Sequence, residues 1–291
     1  MTLRSGKRVI ISGGSRGIGL SIAKRLASEG ARVAILAKTA EPHPKLPGTI
    51  YTAAEEIEAA GGEALPILTD VRDEAQVKAA VAQTAEKFGG VDICINNASA
   101  ISLTGTAKTE MKRFDLMFAV NVRATFMLSK ECLPHLIQSD NPHILNISPP
   151  LDMQAKWFSP SVAYTTSKFG MSQCVLGMAA EFKSKGVAVN ALWPHSVIAT
   201  AAISNVVAGD LAFPHCRKPE IMADAAAAIF SKNAREFTGQ FCIDDVFLAG
   251  EGETNFAQYR VDPEQTLWSD FFLPEDTPEI EPVVVMKGPG M

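Results

Sequence analysis

Short apolar runs alternate with longer amphipathic stretches through the first two hundred residues. Val9-Ile10-Ile11 is β-branched and apolar, the mark of a fully buried strand, and Ile22, Leu26 and Ala27 follow at helical spacing. Gly30 stops that helix, and Arg32 to Leu36 makes a second strand. Residues 39–52 hold Pro42, Pro44, Pro47 and Gly48 and predict an irregular loop. Ala53 to Ala60 is a helix closed by Gly61-Gly62, Ala64 to Leu68 a third strand, and Gln76 to Phe88 an amphipathic helix. Asp92 to Ile95, His143 to Ile147, Val187 to Leu192 and Gln240 to Ile243 complete the strands, and residues 114–137 predict one long helix. Strand–helix alternation of this kind predicts an α/β fold, a doubly wound parallel sheet of about seven strands.

Past residue 250 the alternation fades. Residues 1–250 therefore read as one domain that includes the active site, and residues 251–291 as an extension. The extension mixes Asp262-Pro263 and the Pro/Glu-rich stretch from Leu273 to Pro282 with Leu267-Trp268 and Phe271-Phe272. Its aromatics predict packing onto the body or a neighbouring subunit rather than free disorder. Composition adds little beyond exclusions. A net charge of −5 and a pI near 5.6 argue against nucleic acid or an anionic membrane as the main partner. The five cysteines are scattered without a C-x-x-C pair and read as buried thiols, and the five histidines show no metal-ligand spacing, so no metal is expected. There is no apolar leader and no membrane-length run, so a soluble, cytoplasmic chain is expected. On that expectation the glycosylation patterns at Asn97 and Asn146 are coincidental.

Chemistry enters at the first turn. Gly13, Gly14, Ser15, Arg16, Gly17, Ile18 and Gly19 lie between a strand and a helix start. Glycines 13, 17 and 19 allow a tight turn and let backbone N–H groups approach a pyrophosphate at the positive end of the helix. At the end of the second strand, where an acidic residue would hold the ribose hydroxyls of NAD, the chain has Ala37 and Lys38. Lys38 and Arg16 together favour the 2′-phosphate of NADP, with NAD the less favoured cofactor. Asp70, followed by Val71, ends the third strand, where it either contacts adenine or caps the helix opening at Asp73-Glu74. Asn96-Asn97-Ala98-Ser99 suits a turn whose amides lock adjacent strand ends. Asn121, mid-helix among apolar neighbours, predicts a kink with a bound water. Tyr164 and Lys168 stand four apart on one helical face, where an ammonium would draw the phenol pKa from about 10 toward neutrality and make it a usable acid or base.

Together these residues resemble the short-chain dehydrogenase/reductase family over nearly all of residues 7–245. The carriers are Ser12-Gly13-x-x-x-Gly17-x-Gly19, Asp70, Asn96-Asn97-Ala98, Asn121 and Tyr164-x-x-x-Lys168. Within the family, residues 37–62, 96–106 and 143–151 resemble the hydroxysteroid dehydrogenase-like protein 2 group, and the sterol-carrier-type domain that members can carry is not expected here. The resemblance implies a Rossmann fold and hydride transfer between NADP(H) and a small-molecule alcohol or carbonyl. It also implies a homodimer or homotetramer. By its pattern Tyr164 is the acid/base and Lys168 holds the nicotinamide ribose. Asn121 holds a relay water, Asp70 and Val71 lie at adenine, Asn97 lies beside the cofactor and Thr200 meets the carboxamide. Two positions depart from the pattern. Pro149 stands where the family's serine belongs, leaving Ser148 as the substitute, and Pro194-His195 replaces the usual Pro-Gly. Losing such a hydroxyl would cost about 2 to 4 kcal/mol of transition-state stabilisation. Trp157-Phe158 predicts an apolar, lipid-like substrate, or else ordinary packing. A protein that binds NADPH as a sensor or scaffold is the competing expectation.

Overall fold

The computed structural model describes residues 6–42, 48–201, 203 and 210–285. Pro44 and Pro47 of the irregular loop lie outside them. The strands are β1 (Arg8–Ser12), β2 (Arg32–Ala37), β3 (Glu63–Leu68), β4 (Ile93–Asn96), β5 (His143–Ile147), β6 (Ala188–Trp193) and β7 (Phe241–Ile243). They form one parallel sheet in the order β3-β2-β1-β4-β5-β6-β7, the doubly wound architecture expected from the alternation. The order reverses between β1 and β4, which opens the crevice at the carboxyl ends of those strands.

The period-two rule accounts for the two cores. Val9 and Ile11 of β1 join Val33 and Ile35 of β2 on one face, under α1 (Gly17–Ala27) and α2 (Ile50–Ala59). Ile10, Ala34 and Leu36 join the opposite face, under α3 (Glu74–Phe88). Since both faces are covered, the central strands show no polar alternation.

Between β4 and β5 the expected single long helix is three pieces. α4 (Met111–Met117) passes into a π-helical turn over Phe118–Arg123 and then into α5 (Ala124–Leu136). The break falls on Asn121, a mid-helix amide that is fully buried and needs partners outside the helix. After β5 come the short α6 (Ala155–Phe158) and α7 (Val162–Phe182), which starts two residues before Tyr164. The Ala-rich α8 (Glu220–Phe230) and α9 (Asp244–Gly250) were not foreseen. Neither was the small parallel ladder of β8 (Leu267–Trp268) and β9 (Val283–Val284) within the extension. All five cysteines are free, four of them buried, as their apolar surroundings predict. Among the described residues no helix is long and apolar enough to cross a membrane.

Candidate functional site

The glycine turn is built to be empty of side chains. Gly13 and Gly17 have φ of +69° and +54°, a region that other residues avoid. A Cβ on Gly13 would lie 2.9 Å from the Ala98 Cα, and one on Gly19 would collide with the Gly13 carbonyl and the Asn97 amide. The turn is also tied down. The Asn97 Nδ2 donates to the carbonyls of Gly13 (2.9 Å) and Ser12 (3.2 Å), and the Asn97 and Ala98 N–H groups donate to the Ser12 hydroxyl at 3.2 Å. Asn96 Nδ2 donates to Asn146 Oδ1 (2.8 Å) and Ser129 Oγ (2.9 Å), linking β4 to β5 and α5. The expected locking of strand ends by the paired asparagines is what these bonds do. It also leaves Asn146 fully buried, in keeping with a coincidental glycosylation pattern.

Above the turn lies a cavity of about 1210 Å³. Gly13, Ser15, Arg16, Gly17, Ile18, Lys38, Asp70, Val71, Asn97 and Thr200 all line it, so ten of the sequence-derived cofactor positions converge on one space. Gly14 and Gly19 act from behind it. Gly14 packs where a Cβ would meet Ile11 and Ile35 at 2.9 Å, and Gly19 packs on Asn97. Arg16 half-buries its guanidinium, which burial pulls below its usual pKa. One of its nitrogens donates to the Gly48 carbonyl at 3.2 Å, while Nε is buried without a partner among the described residues. An unpaired buried donor beside a side-chain-free helix N-terminus fits an anionic phosphate. Lys38 is exposed on the cavity rim and joins no ion pair among the described residues. Asp70 does not cap the next helix. Asp73 does, accepting from the N–H groups of Ala75 (2.9 Å) and Gln76 (3.1 Å). Asp70 instead pairs with Arg72, whose hydrogen bonds hold its pKa at about 2. These residues therefore fit the phosphates of a dinucleotide.

Tyr164, Lys168, Asn121 and Ser148 do not line that cavity. Tyr164 and Lys168 sit on successive turns of α7, 6% and 3% exposed. Lys168 Nζ donates to the Ile147 carbonyl at 2.7 Å, at the end of β5, and lies 4.9 Å from the Trp193 ring centroid. Burial lowers its pKa to about 7, against an opposing pull from Asp270. The expected depression of the Tyr164 pKa is absent. Burial raises the phenol above its usual range and the Asp270 carboxyl adds to the rise, because the ammonium is engaged with a carbonyl instead of the phenol. The Asn121 side chain is fully committed. Its Oδ1 accepts from Ala100 N–H (2.7 Å), and its Nδ2 donates to Ala100 O (3.0 Å) and Ser167 Oγ (2.9 Å). Ser148 is wholly buried and its hydroxyl has no partner among the described residues. Trp157 and Phe158 join Tyr164, Phe169, Trp193 and Phe272 in one aromatic cluster. His195, at the Pro-Gly departure, is buried; Nδ1 meets Asp245 at 2.9 Å and its N–H donates to Asp244.

Sequence reasoning missed two features. The tail aromatics were expected to pack onto the body or a neighbouring subunit, but nothing in the chain's spacing placed Phe272 beside Tyr164 with Asp270 near. A buried ion network also went unseen. Arg217, fully buried, pairs with Asp245 and Glu281 at 2.7 Å each, and Glu281 meets Arg260 at 3.1 Å. No spacing in the chain connects these four. Among the described residues no cluster of histidine, cysteine or carboxylate side chains is arranged for a metal.

Residues 7–209 match the family model described as short chain dehydrogenase. The chain is 58% identical over 275 residues to Hydroxysteroid dehydrogenase-like protein 2 of Danio rerio, covering 94% of this chain and 66% of that relative, so it spans just under two thirds of the relative's length. A crystallised chain from Xanthomonas campestris, provisionally named a dehydrogenase, is 54% identical, with a TM-score of 0.91 over 94% of this chain and all of that one. A metagenomic short-chain oxidoreductase crystallised in complex with NADP is 26% identical, with a TM-score of 0.67 over 82% of this chain and 97% of its own.

Proposed function

The chain belongs to the short-chain dehydrogenase family, and from that premise we propose that it is an oxidoreductase passing hydride between NADP(H) and an apolar alcohol or carbonyl. The carrying observation is that the dyad and the glycine turn share one end of the sheet. Gly13 follows β1, and Lys168 is anchored to the carbonyl that ends β5. The dinucleotide would supply or accept the hydride. Arg16 and Lys38 hold its phosphates, and Asp70 and Val71 border the adenine side. Tyr164 gives a proton to the developing alkoxide, or takes one from the alcohol. A phenol that is protonated at neutral pH suits the reductive direction. Lys168, one helical turn along and anchored at the Ile147 carbonyl, would hold the nicotinamide ribose. The aromatic cluster around Tyr164 supports an apolar substrate. Phe126 of α5 and Leu176 of α7 are 54% and 58% exposed, which supports a homodimer or homotetramer built on those helices.

The test is NADPH oxidation against a panel of ketones, aldehydes and fatty acyl carbonyls, beside calorimetry of NADPH binding. Turnover that Tyr164→Phe removes while NADPH binding persists is the expected result. Full activity in that variant would overturn the acid assignment. A second reading, an NADPH-binding sensor or scaffold, draws on the sealed, unpartnered Ser148 hydroxyl and on Pro149. Binding without turnover across the panel would select it.

A further inference from the structure

One ring of the aromatic cluster around Tyr164 comes from beyond the family match at residues 7–209. After β8 the chain runs antiparallel to the segment that leaves β6. Val197 N–H donates to the Trp268 carbonyl (2.9 Å), Ser269 bridges Ser196, and Asp270 N–H donates to the His195 carbonyl (2.9 Å). Trp193 Nε1 then donates to the Phe271 carbonyl at 2.7 Å. These bonds deliver Phe272, which is 2% exposed. It is the single non-glycine with a positive φ, +67°, among the described residues. Its ring centroid lies 6.1 Å from that of Tyr164, 5.4 Å from Phe169, 5.8 Å from Trp193 and 5.9 Å from Trp157.

An aromatic side chain does not adopt a left-handed backbone unless its surroundings over-determine its place. Here the main-chain bonds and the flanking rings supply that constraint and fix the ring's place. The Pro194-His195 departure fits the same device. His195 receives the segment through its carbonyl, and its imidazole is braced by Asp245, which Arg217 connects to Glu281 of the extension.

We propose that the C-terminal segment is the fixed wall of the substrate site and that Phe272 is its specificity-determining residue, limiting the bulk of the alcohol or carbonyl that reaches the Tyr164 hydroxyl. The substrate class is then a compact apolar ring or short chain, not a bulky polycycle. This rests on the oxidoreductase reading only for the identity of the reacting group. Space beside Tyr164 is set by the wall whether or not hydride is transferred.

The experiment compares the full chain with Phe272→Ala and Phe272→Leu, using cyclohexanone and 4-tert-butylcyclohexanone as probes. Turnover with NADPH and ligand binding by quenching of tryptophan fluorescence are both measured. Phe272→Ala is expected to raise the bulky-to-compact ratio about tenfold or more, and Phe272→Leu by less. NADPH affinity should stay within about twofold, since Phe272 is not on the nucleotide cavity. Should the alanine variant fail to fold, the leucine variant carries the comparison. A ratio unchanged in both turnover and binding overturns the wall, as does a wild-type protein and variants that bind neither ketone. A shifted binding ratio without turnover by any form would instead overturn the oxidoreductase reading and leave the wall standing.

Discussion

The proposed nucleotide half and the proposed substrate half of this site are built in different ways. The nucleotide half is a local object. Its turn is one run of seven residues, and among the described residues Asn97 is the distant one whose side chain ties it down. The substrate half is assembled from α7, the end of β5, the π-helical turn and a segment more than a hundred residues beyond Tyr164. A local site is specified by which residues are small and where the backbone turns. An assembled site depends on every element that carries a part of it, and it fails in more ways.

The sharpest way to break this contrast is to damage each half alone. Gly19→Val places a branched side chain onto the Gly13 carbonyl and Asn97, and it should abolish NADPH binding in calorimetry while the far-ultraviolet spectrum stays folded. Retained binding would mean that the turn tolerates what its geometry forbids. Tyr164→Phe should do the converse, lowering turnover by about 10² to 10⁴-fold with NADPH affinity intact. Loss of both properties together would erase the distinction between the halves. A smaller effect is expected from the brace behind the substrate wall. Arg217→Met leaves buried Asp245 with His195 alone and Glu281 with Arg260 alone, and it should cost about 3 kcal/mol in denaturant unfolding. A change within error would show that the buried network contributes nothing net.

Two finer measurements sharpen the comparison. Lys38→Asp should turn the NADPH-to-NADH affinity ratio toward NADH by about tenfold, since it exchanges attraction for repulsion at the rim. An unmoved ratio would remove Lys38 from phosphate recognition. The last concerns Asp270, whose pKa burial raises to about 7 from 3.8, with Asp244 adding to the rise. The folded protein then holds a proton that the unfolded chain releases between those values, so this group's contribution to stability falls as pH rises from about 4 to about 7. Lys168 runs the other way. Its folded pKa of about 7 lies below the unfolded 10.5, so its burial penalty is full below pH 7 and relaxes as pH climbs toward 10.5. Asp270→Asn should therefore gain on the wild type in urea midpoints between pH 4 and 7. Parallel curves across that window would show that the carboxyl is not held as the structure implies.

Much of this was readable from residue order alone. The seven strands follow from short β-branched runs, and the glycine turn from spacing after the first of them. Strand boundaries moved by a residue or so, because hydrogen-bond registry and not hydrophobicity ends a strand. The kink expected at Asn121 is present as a π-helical turn, but the split of the helix into three pieces was not legible, for a physical reason. Apolar periodicity reports which face is buried, but it is blind to a one-residue insertion in the helical ladder. α8 was overlooked because only Glu220 and Asp224, four apart, mark its polar side in an otherwise apolar run.

Residue order determined the sheet, the nucleotide turn and the identity of the Tyr164–Lys168 pair, because strand period, glycine conformation and helical spacing act over a few neighbours. Tertiary structure alone decided where the Lys168 ammonium points, that the Ser148 hydroxyl is sealed, and that Phe272 stands against the phenol. Those outcomes depend on burial and on contacts between segments with no relation in sequence. No local pattern encodes the desolvation that sets a buried pKa, or the closing of a distant tail onto a strand end.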